Sequence, residues 1–207
     1  MPQDYQIFDD IISKENQSIL YDYVKKENLK WEFIQNITGD YGGQKENLKF
    51  PANVHPQIYC NDDDIKKIID EIQLTVAKKM NLEFVQNYRW KINWTQPLNN
   101  DYNPMELLHC DRIIEHIAVV YYINDSTGDT FIYNNLNGNN AESYQSNFNK
   151  VDFDSHILLK HVSPKMGRCI AFDGRLAHYG DYPESGNRYI INFNFVAKNK
   201  NNKKSII

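Results

Sequence analysis

Between residues 62 and 80 apolar side chains return at Ile65, Ile68, Ile69, Ile72 and Val76, the three-and-four spacing of a single α-helical face. Asp62, Asp63 and Asp64 stand at its start, where negative charge suits the positive end of the helix dipole. An earlier helix is predicted within residues 7–29, with Ser13 as its N-cap and Ile19, Leu20, Tyr23 and Val24 as its apolar stripe. From residue 82 the helical period disappears. Short runs rich in β-formers follow one another, "LEFVQNYRWKINWTQ", "HIAVVYYIN", "TFIYN", "HILLKHV", "RCIAFDG" and "RYIINFNFVAK", separated by turn-formers. The pattern predicts one mainly β domain with N-terminal helices (α+β): helical support over about 1–81, and a sandwich or barrel of about eight strands over about 82–197. Jelly rolls of this kind hold ligands between their sheets. The Gly-, Asn- and Pro-rich segment 36–57 reads as a binding loop or a lid, and 134–150 as a solvated polar loop. Residues 198–207 read as a frayed tail.

Composition adds exclusions. At 207 residues, with 41% hydrophobic and 13% aromatic side chains, the chain is long enough to bury one sizeable core. A net charge of −4 implies no basic face for nucleic acid or for an anionic membrane. The N-terminal stretch lacks the pattern of a signal peptide, and no run approaches the roughly 20 apolar residues of a membrane span. A cytoplasmic location is expected. Cys60, Cys110 and Cys169 are odd in number and show no Cys-x-x-Cys spacing, which fits reduced thiols. Nothing in the sequence signals an oligomeric state.

Candidate chemistry begins at residues 107–125, "LLHCDRIIEHIAVVYYIND". His109 and Asp111 are two positions apart in a strand-like run, so their side chains share a face. Two histidines and one carboxylate on one side of a metal, with open positions opposite, form the facial triad of non-haem Fe(II) sites. The second histidine must come from elsewhere, and His55, His116, His156, His161 and His178 are the candidates. His178 stands out, because "SPKMGRCIAFDGRLAHYG" places it after a turn, an apolar strand and a second turn. His116 falls on the face opposite His109 if the strand is continuous; His55 and His161 read as loop or turn residues. Arg188, opening the last strand, offers a planar fork that pairs with a carboxylate, and Tyr122 could add a phenolic hydrogen bond.

The order His-x-Asp, "VVYYIND", "GDTFIYN", "SPKMGRCIAFDGRLAHYG" and Arg188 resembles the Fe(II)- and 2-oxoglutarate-dependent oxygenases, specifically their prolyl-4-hydroxylase-like branch, over about residues 88–196. The resemblance implies a double-stranded β-helix in which His109, Asp111 and His178 bind iron. It implies further that Arg188 and Tyr122 bind the far carboxylate of 2-oxoglutarate, and that Asn93 lies near its chelating end, a place Gln96 or Tyr102 could also fill. The implied cofactors are Fe(II), 2-oxoglutarate as co-substrate and O2, with ascorbate as accessory reductant.

The implied reaction is hydroxylation, since halogenating relatives replace the carboxylate that Asp111 retains. The branch favours a peptidyl substrate with proline as the acceptor, and a free amino acid or small metabolite is the competing reading. Trp90, Trp94, Tyr102 and Arg112 are expected along a substrate groove, and the 36–57 loop with the Trp94 strand is expected to govern substrate choice. Two remote alternatives are a cupin-type metalloenzyme, against which the His-x-Asp spacing argues, and a non-catalytic jelly-roll binding module.

Overall fold

The computed structural model describes residues 5–33, 56–58, 62–98, 108–111, 114–135 and 156–200. The expected 36–57 and 134–150 loops lie largely outside these residues, as do His55, Cys60, Tyr102 and Arg112.

In chain order the elements are β1 (Tyr5–Phe8), α1 (Lys14–Val24), β2 (Glu32–Phe33), β3 (Pro56–Ile58), α2 (Asp63–Lys79), β4 (Leu82–Thr95), β5 (Ile117–Tyr122), β6 (Thr130–Asn135), β7 (His156–Val162), β8 (Cys169–Asp173), β9 (Ala177–Gly180) and β10 (Arg188–Asn199). Seven strands form one sheet in the order β1-β8-β5-β10-β4-β3-β2, and β7-β6-β9 form a second. The strand pairings among the described residues are antiparallel. From β5 to β10 the chain passes between the two sheets, the winding of a double-stranded β-helix.

The large sheet has two faces, and strand alternation sorts residues between them. Trp90, Ile92 and Trp94 of β4 and Tyr189, Ile191, Phe193 and Phe195 of β10 pack into the core that the helices cover. α2 supplies Ile65, Ile68, Ile69, Ile72 and Val76 to that core, as its periodicity predicts, with the Asp62 side chain accepting from the Asp64 and Ile65 N–H groups at 3.0 and 3.3 Å. Ser13 caps α1 through the Asn16 N–H at 3.1 Å, and Asn16 Nδ2 donates to Glu71 at 2.8 Å, which ties the helices together. The opposite face carries Tyr122, Val120, Ala118 and Ile190, and packs on Ile132 and Val162 of the small sheet.

Three details differ from the sequence reading. Ile19 is 40% exposed, whereas Gln17, one turn before Leu20, is buried because its amide donates to Asp10 Oδ1 at 3.0 Å and to the Ile12 carbonyl at 3.2 Å. β1 precedes α1 and pairs with β8, an edge strand too short to show a period. Trp90 and Trp94 face the helical core, so they do not flank a groove on the other side of the sheet.

Ile69 is fully buried at the centre of the helix–sheet layer. Ile69→Ala is expected to destabilise the fold by about 2–5 kcal/mol, measured as a shift in the chemical denaturation midpoint.

Candidate metal centre and anion anchor

His109 and His178 meet through their backbones. The N–H of His109 donates to the His178 carbonyl at 3.0 Å, and the N–H of His178 donates back at 2.8 Å. Directly opposite residues of an antiparallel pair project to one side, and the two imidazole centroids lie 4.6 Å apart. Alternation sends Cys110 the other way, where its Sγ donates to the Arg175 carbonyl at 3.1 Å, and returns Asp111 to the histidine side. Ligand-capable atoms of His109, Asp111 and His178 all lie within 4.8 Å of one another.

This arrangement fits a cation. His178 Nδ1 lies 2.9 Å from the Leu176 carbonyl, which can only accept, so Nδ1 carries the proton and Nε2 presents a lone pair. That Nε2 stands 3.7 Å from Asp111 Oδ2, and both atoms are buried without a hydrogen-bond partner. Two buried acceptors facing one another are costly unless something positive stands between them. Burial alone would raise the Asp111 carboxyl, but positive charge around it, that of His178 and His109 when their rings are protonated and that of Arg89, outweighs burial and holds the group below its ordinary range; with neutral rings a bound cation would supply that charge. Arg89 reaches Asp111 at 3.6 Å from β4.

His116 is buried close by, outside the triad. Its Nδ1 lies 2.7 Å from the Ile114 carbonyl, and its ring occupies the space above Gly174, where an added Cβ would stand 1.9 Å from Nε2. Gly174 N–H also donates to the His116 carbonyl at 3.0 Å. His116 is thus a packed wedge between the start of β5 and the end of β8. His161 is exposed and pairs with Asp129 at 2.8 Å.

A second polar constellation occupies the inner wall. Arg188 is only 3% exposed, and among the described residues no carboxylate pairs with it. Its Nη2 donates to Thr130 Oγ1 at 2.9 Å, Nε is buried without an acceptor, and the guanidinium carbon lies 5.7 Å from the Tyr122 ring centroid. Tyr122 Oη lies 2.8 Å from Thr130 Oγ1 and 3.3 Å from the Val162 carbonyl, so its one proton has two acceptors within reach, and Thr130 accepts from Arg188. Gly180 makes room: a Cβ there would stand 3.0 Å from Arg188 Nη2. Asp181 and Asp129 act on Arg188 only from beyond ion-pair contact, and a buried guanidinium without a paired carboxylate is suited to an anion.

Asn93 lies on the same wall, opposite Ile190 in register and 9% exposed, with Oδ1 buried and unpartnered. Gln96 follows the strand and is exposed. Sequence reasoning did not single out Thr130 as a site residue, although "GDT" was visible as a motif. Lys91 was missed as well, hidden between two tryptophans of opposite facing.

The wedge is testable. Gly174→Ala is expected to cost about 1–3 kcal/mol through overpacking against His116, and His116→Ala in the same chain should recover part of that loss, read as a coupling energy in a double-mutant denaturation cycle.

No family model and no curated protein matches the chain. Solved structures do. The non-haem α-ketoglutarate-dependent epimerase SnoN of nogalamycin biosynthesis aligns with TM-score 0.63 at 9% identity, covering 94% of this chain and 80% of that one. A Trichoplax adhaerens prolyl hydroxylase, in complex with a hypoxia-inducible-factor peptide, aligns with TM-score 0.53 at 12% identity, covering 93% and 83%. A Pseudomonas putida prolyl-4-hydroxylase gives TM-score 0.51 at 11% identity, covering 93% and 91%. At such identities the shared property is the fold, and the chain has the double-stranded β-helix of the 2-oxoglutarate-dependent oxygenases.

Proposed function

We propose that this chain is a single-domain Fe(II)- and 2-oxoglutarate-dependent dioxygenase that hydroxylates its substrate. The observation that carries this reading is the pair of facing, unpartnered acceptors, His178 Nε2 and Asp111 Oδ2, beside His109, together with a buried guanidinium on β10 that no described carboxylate pairs with. Solved structures of the same fold include an EvdO2 complexed with 2-oxoglutarate and a HygX with nickel and 2-oxoglutarate bound, which supports the assignment.

His109, Asp111 and His178 would hold the iron, leaving the opposite side free for O2 and co-substrate. When bound, iron and 2-oxoglutarate supply the oxidation, coupling conversion of the keto acid to succinate and CO2 with hydroxylation of a C–H bond. The protein's own part is placement. The Leu176 carbonyl fixes the His178 tautomer and ring direction, a role that outer partners of metal-binding histidines commonly serve. Arg188 pairs with the far carboxylate of 2-oxoglutarate, and Thr130 and Tyr122 hold the guanidinium in place, the first as its hydrogen-bond acceptor and the second through its ring face. Asn93 lies between this anchor and the metal end of β4, where it can reach the chelating half. Asp111 occupies the third ligand position, which leaves no place there for a halide and favours hydroxylation.

The acceptor is read as a peptidyl residue, with proline the candidate. A free amino acid or other small metabolite is the second reading, favoured by the cationic side chains Arg89 and Lys91 near Asp111, which would suit the molecule's own carboxylate. The 36–57 loop is retained as a determinant of substrate choice.

Wild-type protein is expected to bind one Fe(II) per chain and to form succinate from 2-oxoglutarate. His109→Ala combined with His178→Ala should lose the metal, measured by elemental analysis after anaerobic loading; stoichiometric retention would refute the triad. Arg188→Ala is expected to weaken 2-oxoglutarate binding by roughly 30- to 1,000-fold, about 2–4 kcal/mol, with iron binding retained. Calorimetric titration checks this, and unchanged affinity would require another anchor.

A further inference from the structure

The inner face of β4 presents Arg89, Lys91, Asn93 and Thr95 in alternation, while Trp90, Ile92 and Trp94 are committed to the helical core. Lys91 is therefore not a lysine on a solvated outer face. Among the described residues it makes no hydrogen bond and no ion pair; the charges acting on it are Arg89, which repels it, and Asp111, which attracts it. Burial, reinforced by Arg89, pushes its ammonium down to about 8, which still leaves it mainly charged near neutral pH.

The polar surroundings are also incomplete. Asn192 lies opposite Lys91 in register and Asn194 opposite Arg89. Asn194 is 1% exposed, and both its Oδ1 and that of Asn93 are buried without partners. Among the described residues Asp111 is the carboxylate set against the two cations, and a metal ion on Asp111 would take up that negative charge. Arg89, which is partly open to solvent, and Lys91 would then face the cavity with like charges and, among the described residues, no further carboxylate beside them.

An anion must answer them, and on the oxygenase reading, on which this inference rests, it is not the co-substrate. Of the two carboxylates of 2-oxoglutarate, the far one is met by Arg188 and the near one by the metal. We propose that Arg89 and Lys91 form a subsite for an anionic group of the substrate itself, a carboxylate or a phosphate monoester, which orients the reacting C–H bond toward the metal. Lys91 is then a specificity-determining residue, and Arg89 bridges the subsite to Asp111.

The test uses full-length protein loaded anaerobically with Fe(II) and saturating 2-oxoglutarate, so that the Arg188 anchor is filled. N-acetylglycine and glycerol 3-phosphate are titrated calorimetrically, each beside its neutral counterpart, N-acetylglycine amide and glycerol. At least one anion should bind where its counterpart does not, and the stronger anion identifies the group as carboxylate or phosphate. Lys91→Met should weaken that binding by about tenfold or more, Lys91→Arg should restore most of it, and both variants should keep wild-type 2-oxoglutarate affinity. No binding of either anion, or binding that ignores Lys91→Met, would overturn the subsite. A loss of 2-oxoglutarate affinity in Lys91→Met would overturn it too, by assigning the lysine to the co-substrate. The two failures are distinct, because absent 2-oxoglutarate affinity in the wild type removes the oxygenase reading, whereas intact affinity with Lys91-independent anion binding removes only the subsite.

Discussion

The mutual backbone hydrogen bonds between His109 and His178 are the contact on which the rest of the site depends. They are an isolated bridge, outside any longer ladder, yet they bring together two segments far apart in the chain. With that pair made, period-two alternation delivers Asp111 to the same side and removes Cys110 from it. The Leu176 carbonyl then turns the His178 ring so that a bare nitrogen faces the carboxylate. Two backbone bonds and one side-chain bond thus create an arrangement of acceptors that is unfavourable when empty and well suited to a cation.

The molecule separates the source of its stability from the seat of its chemistry. Isoleucines of α2 and the aromatic residues of β10 close a dry layer on the outer face of the large sheet. The inner face carries buried or half-buried groups that apolar packing cannot satisfy, Arg188, Lys91, Asn93 and Asn194, and Asp111 lies across from them beside the small sheet. Each opposes folding unless matched, and a charge without its partner is the most costly case. The helical layer makes such a wall tolerable.

Much of this was legible in the chain. The isoleucine spacing of α2, the β-rich runs after residue 82, and His-x-Asp followed by a distant His178 could all be read from local periodicity and motif order. Arg188 could be read as a candidate by type, but its burial could not, because an arginine opening a strand looks the same whether it ends in solvent or under the opposite sheet. Ile19 and Gln17 exchanged places because an amide satisfied by Asp10 and Ile12 is a tertiary fact, invisible to a hydrophobicity pattern. Trp90 and Trp94 were assigned to a groove through aromatic character, yet the parity that puts Asn93 inside puts both tryptophans outside. Lys91 and Thr130 could have been found by applying that parity to the whole of β4 and by treating the "GDT" threonine as a donor.

β10 runs unbroken from the Arg188 anchor to Asn199, with each successive residue on alternate sides of the sheet. Neighbours in sequence therefore answer to different demands, Ile191, Phe193 and Phe195 to the persistence of the fold, and Arg188, Ile190, Asn192 and Asn194 to whatever enters the cavity. Drift in substrate preference can thus proceed along every second position of β10 from Arg188 to Asn194 and of β4 from Arg89 to Thr95, ahead of the register shifts, while the intervening positions stay bound to the core. The same two strands could host a change of chemistry without a change of architecture, with a single residue of register separating what is free to vary from what is not.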